Sequence, residues 1–316
     1  MPALTHLPAA HLPLLEQAAA SGGNALLLTG TPYSGAQALA LGIFAARNCS
    51  GPRGMAGEAC GECSSCRALA AGAHPDLLTI APRELTSTGR AARRRVIPAA
   101  VTSQKRDTSG DYEQHVLEFT EVRPTYQRRA VLVQGAEYLS PEAANALLKL
   151  IEEPPHRAFF LLLAGDLRAV MPTIVSRSTR LNVPPLDDQA MYAALAQSSD
   201  QREMSAETLV EFAAGRPELL THAAEVAAAL EDAAHLHAAL QEGLLPALDA
   251  AAELEKGWDA WHAPALRFTW RPLPLHTRAS LDTALDALEQ ALEAYANPSL
   301  SFMAFALAAR EALGES

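Results

Sequence analysis

Four short apolar runs recur along the first half of the chain, Asn24–Leu28, Asp76–Ile80, Ala130–Val133 and Ala158–Leu163, with helical patterns between them. They are mostly apolar at consecutive positions rather than alternate ones, so both faces of each predicted strand need cover. Such strands, separated by helices, build a parallel sheet with helices on both sides, which restricts this half to an α/β domain. The clearest helix is predicted over Pro141–Glu152. Ser140 suits its N-cap, Pro141 its first turn, and Glu142 adds early negative charge. Leu147, Leu148 and Ile151 form its inward face, and Pro154-Pro155 ends it. Ser34 is placed to cap a second helix, with Leu39, Ile43, Phe44 and Arg47 along one face.

After Pro184-Pro185 strand-like runs nearly vanish. Asp187–Ala196, Ser205–Ala214 and Pro217–Leu230 read as short helices. Leu236, Leu240, Leu244 and Leu248, then Leu281, Leu285, Leu288 and Leu292, recur at helical spacing and predict single apolar helix faces. Trp258, Trp261 and Trp270 read as packing anchors.

With 36 acidic and 25 basic residues and a formal net charge of -11, the chain is not a uniformly basic nucleic-acid wrapper. The chain lacks an apolar stretch long enough to cross a bilayer, and no basic-then-apolar leader opens it, so residence in the cytoplasm is expected. One local basic stretch runs from Arg83 to Asp111 and carries Arg90, Arg93, Arg94, Arg95, Lys105 and Arg106. It reads as a solvated insertion poor in local structure, with a DNA-contacting loop as the alternative.

All four cysteines, Cys49, Cys60, Cys63 and Cys66, lie within one C-x10-C-x2-C-x2-C pattern. In a reducing compartment this favours metal over disulfides, and four thiolates describe a closed, structural Zn2+ site. An iron–sulfur cluster or redox cysteines are the alternatives. His74 lies outside the quartet and reads as a surface residue.

Gly30-Thr31-Pro32-Tyr33-Ser34-Gly35-Ala36-Gln37 joins a predicted strand to a predicted helix and has the glycine spacing of a nucleotide phosphate loop. Ala36 stands where that loop needs Lys, and Gln37 where it needs the hydroxyl that holds Mg2+. Gln134-Gly135 follows the strand that would carry an Asp-Glu pair; Glu137, two places on, belongs to another loop position. Together these losses describe a retired nucleotide site with no productive ATP binding. At most a stray anion would be held by the helix start.

Residues 130–185 resemble the AAA+ subunits of the bacterial clamp loader of DNA polymerase III. The likeness is carried by Asn145-Ala146-Leu147-Leu148-Lys149, Glu152-Glu153-Pro154-Pro155, Pro172-Thr173-Ile174 and Ser176-Arg177. The degenerate loop and the cysteine insertion fit the same family. The resemblance implies an AAA+ type P-loop domain over 1–185, with a zinc module at 49–66 and the basic insertion at 83–111. A helical lid domain over 186–230 and an all-α, collar-like oligomerisation domain over 231–316 follow. It also implies a subunit that hydrolyses no ATP itself and assembles with tau/gamma and delta subunits. Through the complex it would meet the sliding clamp and primed DNA. Arg177 would be an arginine finger acting on ATP held by a neighbour, since a planar, permanently charged fork suits a transferring phosphoryl group. Ser178 replaces the usual Cys of that motif. Ala164-Gly165 replaces a polar γ-phosphate sensor, and Arg216 falls two places before a second sensing arginine. Lys149 and Glu153 are read as structural or interface residues. The alternatives are an ATP-hydrolysing tau/gamma-type subunit and a zinc-containing DNA-binding module that uses Arg90–Arg95.

Overall fold

The structure, a computed structural model, describes residues 7–82, 95–102, 115–197, 204–294 and 296–314. Among these, five strands form one parallel sheet: β1 (Ala25–Thr29), β2 (Leu77–Ile80), β3 (Ala130–Gln134), β4 (Phe159–Ala164) and β5 (Thr179–Asn182), in the order β2-β3-β4-β1-β5. Leu27 pairs with Leu162 across β1 and β4, and Val131 with Phe160 across β3 and β4. The four predicted strands are present within a residue or two. β5 has no counterpart among the apolar runs: of Thr179, Arg180, Leu181 and Asn182 only Leu181 is buried, so nothing in the sequence announces this edge strand.

Helices cover both faces because neighbouring strand residues point to opposite sides. On one side Leu26, Leu28, Leu132, Phe159 and Leu161 pack with Leu15 of α1 (Leu12–Ala20), with Leu39, Ile43 and Phe44 of α2 (Ala36–Asn48), and with Leu69 of α3 (Ser64–Ala70). On the other, Leu27, Val131, Val133, Phe160 and Leu162 pack with α4 (Ala99–Thr102), α5 (Val116–Glu121), α6 (Pro141–Glu152) and α7 (Pro172–Arg177). α6 occupies its predicted range, and Ser140 Oγ accepts from Ala143 N at 3.1 Å. The helix after β1 is capped otherwise than expected. Its N-cap is Gly35 at φ 93°, so Ser34 lies one residue too early to cap it. Most of the basic stretch lies outside the described residues. Its portion 95–102 is not structureless: Ile97 and Val101 are fully buried, and Ile97 N donates to Tyr138 O at 2.7 Å.

The described chain divides into two compact units, Met1–Ser199 with Ala213–Leu220, and Asp200–Phe212 with Thr221–Ser316. α8 (Asp188–Gln197) belongs to the first, and α9 (Ala206–Ala213) ends at the border. The second contains α10 (Ala223–Glu242), α11 (Leu244–Gly257), α12 (His262–Thr269), α13 (Leu275–Glu293) and α14 (Pro298–Gly314). Its core holds Leu236, Leu240, Leu254, Leu266, Trp270, Leu281, Leu285 and Phe302. Trp258 meets Phe302 edge-on at 5.3 Å, and Trp261 lies 4.8 Å from the His222 ring. The leucine series from 236 to 248 is divided between two helices: α10 stops before Gly243, and Leu244 is exposed at the start of α11. Among the described residues, no helix is long and apolar enough to cross a membrane.

One buried carboxylate organises the approach to β3. Asp76, fully buried, accepts from Thr125 N at 2.8 Å and Tyr126 N at 2.7 Å, with Arg129 Nε at 3.6 Å. Asn48 Oδ1 holds the next two amides, Gln127 N at 3.2 Å and Arg128 N at 2.9 Å. Asp76→Ala would take the acceptor from two part-buried amides and the counter-charge from the Arg129 guanidinium. The expected loss is about 3–5 kcal/mol of unfolding free energy, measured by urea denaturation.

Candidate functional site

The carboxyl ends of β1 and β4 lie side by side, where α/β proteins usually bind ligands. Gly30 N donates to Ala164 O at 3.3 Å, and Val183 N to Thr29 O at 2.7 Å, so the loop after β1 is fastened on both sides. The loop turns through Tyr33 at φ 66° and Gly35 at φ 93°. A side chain at Gly35 is excluded by its conformation and by His11, whose Cε1 would stand 2.7 Å from an added Cβ. Ala36 and Gln37 form the first turn of α2 and are half-buried. Gln134 ends β3, and Gly135 starts the turn after it. Glu137, set aside by sequence reasoning, joins the two strand ends: its Oε1 accepts from Gly165 N at 2.9 Å. Arg216 is half-buried, and its Nε donates to Ala213 O at 2.8 Å.

The cysteines converge. Cys49 ends α2, Cys63 starts α3, Cys66 lies one turn inside it, and Cys60 sits in the loop between. All four sulfur atoms lie within 4.8 Å of one another. Backbone donors surround them: Cys60 N points at Cys49 Sγ at 3.3 Å, while Glu62 N and Cys63 N point at Cys60 Sγ at 3.4 and 3.3 Å. The N–H groups of Cys66 and Ser50 hold the Cys63 thiol down at about 5, whereas burial pushes Cys66 up to about 12. Donors directed at sulfur favour the thiolate, the form that binds a metal. Gly51 is tied to this cluster, because an added Cβ would stand 2.5 Å from Cys60 Sγ. The geometry and the donor set fit a tetrahedral, four-sulfur metal centre.

His74 is not on the surface. It is 7 % exposed, with Phe44 edge-on at 4.6 Å and Tyr126 at 4.9 Å. Its Nδ1 accepts from Asp76 N at 3.1 Å, which leaves Nε2 to donate to Ser65 Oγ at 3.0 Å. The ring therefore pins the cysteine module to the sheet. Only the neighbouring buried Asp76 could have signalled this.

Arg177 stands apart from both places, at the end of α7. Its side chain is 43 % exposed and forms an ion pair with Glu152, itself 50 % exposed, while Nη1 lies 3.5 Å from Thr173 O. Ser178 Oγ donates to Ile174 O at 2.8 Å, a bond internal to the helix end. Glu152, read from sequence only as part of a helix terminus, is thus the partner of the candidate finger. Lys149 is exposed on the same helix.

The delta′ subunit of DNA polymerase III from Pseudomonas aeruginosa is 33% identical over 199 residues, covering 63% of this chain and 55% of that protein. The Escherichia coli delta′ subunit is 28% identical over 203 residues, covering 63% and 54%. The Haemophilus influenzae tau/gamma subunit is 28% identical over 182 residues, covering 57% and 23%. The matched part spans about half the length of these delta′ relatives. The structure of a DNA polymerase III gamma subunit-related protein from Thermotoga maritima has a TM-score of 0.56 at 18% identity, covering 95% of this chain and 99% of that one, a likeness of fold. The family model described as "DNA polymerase III, delta subunit" matches residues 11–187, more than half of the chain, and the protein belongs to that family.

Proposed function

We propose that the chain is a delta′-like clamp-loader subunit that assembles with tau/gamma and delta subunits and hydrolyses no ATP itself. The observation that carries this reading is the start of α2, where Ala36 and Gln37 replace the ammonium group and hydroxyl that hold Mg-ATP. Gln134 and Gly135 remove the acidic pair from the end of β3 in the same way. The chain then contributes through Arg177, whose exposed guanidinium can exchange a solvent-accessible carboxylate for a neighbour's phosphate. Cys49, Cys60, Cys63 and Cys66 would hold a structural Zn2+, which supplies folding energy to its loop and no open position for chemistry. The division at 185 and 230, the cytoplasmic setting, and the sliding clamp and primed DNA as targets of the assembled complex belong to the same proposal.

The tau/gamma relatives favour a second reading, an ATPase of the same fold. A Mg-ATP titration of the isolated chain separates the two, with no saturable binding expected. The contact stretch of the third reading, a DNA-binding module that uses Arg90–Arg95, lies outside the described residues except for Arg95.

Elemental analysis of the purified chain is expected to find one zinc per molecule. Chelation should lower Tm by at least about 5 °C, because the module loses the ion that organises it. In the reconstituted complex with clamp and primed DNA, Arg177→Ala should slow turnover at the pocket it serves by roughly 10³-fold, with assembly checked by size exclusion. Arg177→Lys should rescue little, since lysine lacks the planar fork; unchanged turnover in Arg177→Ala would remove the finger assignment. On α14, Leu300, Met303 and Leu307 are 66%, 47% and 51% exposed at positions that share one helix face. If this face meets neighbouring loader subunits, Leu300→Glu with Leu307→Glu will lose co-purification with them while keeping the parent's helical circular dichroism.

A further inference from the structure

The first turn of α2 leaves backbone N–H groups without partners inside the helix, and its N-cap supplies no side-chain bond. Donors in that position, with the positive end of the helix dipole behind them, hold anions. One of them is already taken. Ala38 N donates to Glu218 Oε1 at 3.2 Å, across 180 residues of sequence. The backbone N–H of Glu218 donates in turn to Tyr33 O at 3.3 Å, on the loop side of the same junction. One residue therefore holds both the loop and the helix, one through its main chain and the other through its side chain.

The neighbouring residues close the arrangement. His11, 1 % exposed, lies against Gly35, and Pro217 Cγ would stand 3.3 Å from a Cβ at that position. Leu186 N donates to Gly215 O at 2.7 Å, fastening the start of the segment that carries Glu218. Glu218 also stands two places after Arg216, where sequence reasoning would seat a nucleotide-sensing arginine; the charge there is inverted.

We propose that the Glu218 carboxylate is the resident ligand of the anion seat at the start of α2. The chain supplies in cis the negative charge that a phosphate would bring, and holds residues 213–220 on the loop without nucleotide. An incoming phosphate meets a tethered carboxylate of like charge on the donors it needs. This inference rests on the reading of the loop as a retired nucleotide site and explains how such a site stays closed.

The test compares the full chain with Glu218→Ala and Glu218→Gln, using hydrogen exchange at the Ala38 amide and calorimetric titration with inorganic pyrophosphate. In Glu218→Ala, exchange at Ala38 should quicken about tenfold and pyrophosphate affinity should rise about tenfold, as a charge-assisted bond and a like charge are both removed. Glu218→Gln can still accept the bond but carries no charge, so it should keep slow exchange and still gain pyrophosphate affinity. Exchange and affinity in Glu218→Ala equal to the parent's would overturn the proposal. Should that variant fail to fold, unchanged pyrophosphate affinity in Glu218→Gln overturns it equally. Saturable Mg-ATP binding by the parent chain would sink the retired-site reading and this inference with it. Unchanged variants of a parent that binds no Mg-ATP would sink the inference alone.

Discussion

A parallel sheet covered on both faces leaves its strand ends as the place for chemistry. Every residue from Ala25 to Leu28, and from Phe159 to Leu162, is buried against neighbours on one side or the other. Polar function along those strands would cost the core its packing. The strand order places β1 between β4 and β5, so the loop after β1 emerges beside Ala164, Gly165 and Val183. The groups expected there in an active relative, and absent here, all belong to that edge. The packing of the sheet does not depend on those groups.

α2 connects this edge to the cysteine module. Its first turn faces the loop, and its last residues, Asn48 and Cys49, reach the opposite end of the sheet. There Asn48 and Asp76 hold four consecutive amides of the segment leading into β3, and His74 packs between Phe44 and Tyr126. The module is thus built onto the core by buried polar groups with defined partners, where a misplaced partner is costly. Amide-to-sulfur bonds then shape the cluster itself, independently of the sheet.

Two carboxylates, Glu152 and Glu218, have partners far away along the chain. Glu152 holds Arg177 in an exposed pair, the kind that contributes little to stability and exchanges readily. Glu218 is half-buried on a helix start, and both its main chain and its side chain are bonded. The first arrangement leaves an arginine available; the second removes an opening. The difference lies in exposure, not in residue type.

The strands, α6 with its Ser140 cap, and the cysteine quartet were legible because each depends on neighbours in sequence: apolar runs, capping residues and ligand spacing are local patterns. The absent lysine, hydroxyl and acid pair were legible for the same reason, since a phosphate loop is a contiguous motif. Other features were not. β5 packs a single apolar side chain, His74 is buried by Phe44 and Tyr126, and Gly35 rather than Ser34 caps α2 because the loop must turn with a left-handed residue beneath His11. The pairings of Arg177 with Glu152 and of Ala38 with Glu218 join residues 25 and 180 positions apart. Contacts of that span are set by how the layers close in space, because hydrogen bonds and ion pairs depend on distance through space and not on separation along the chain.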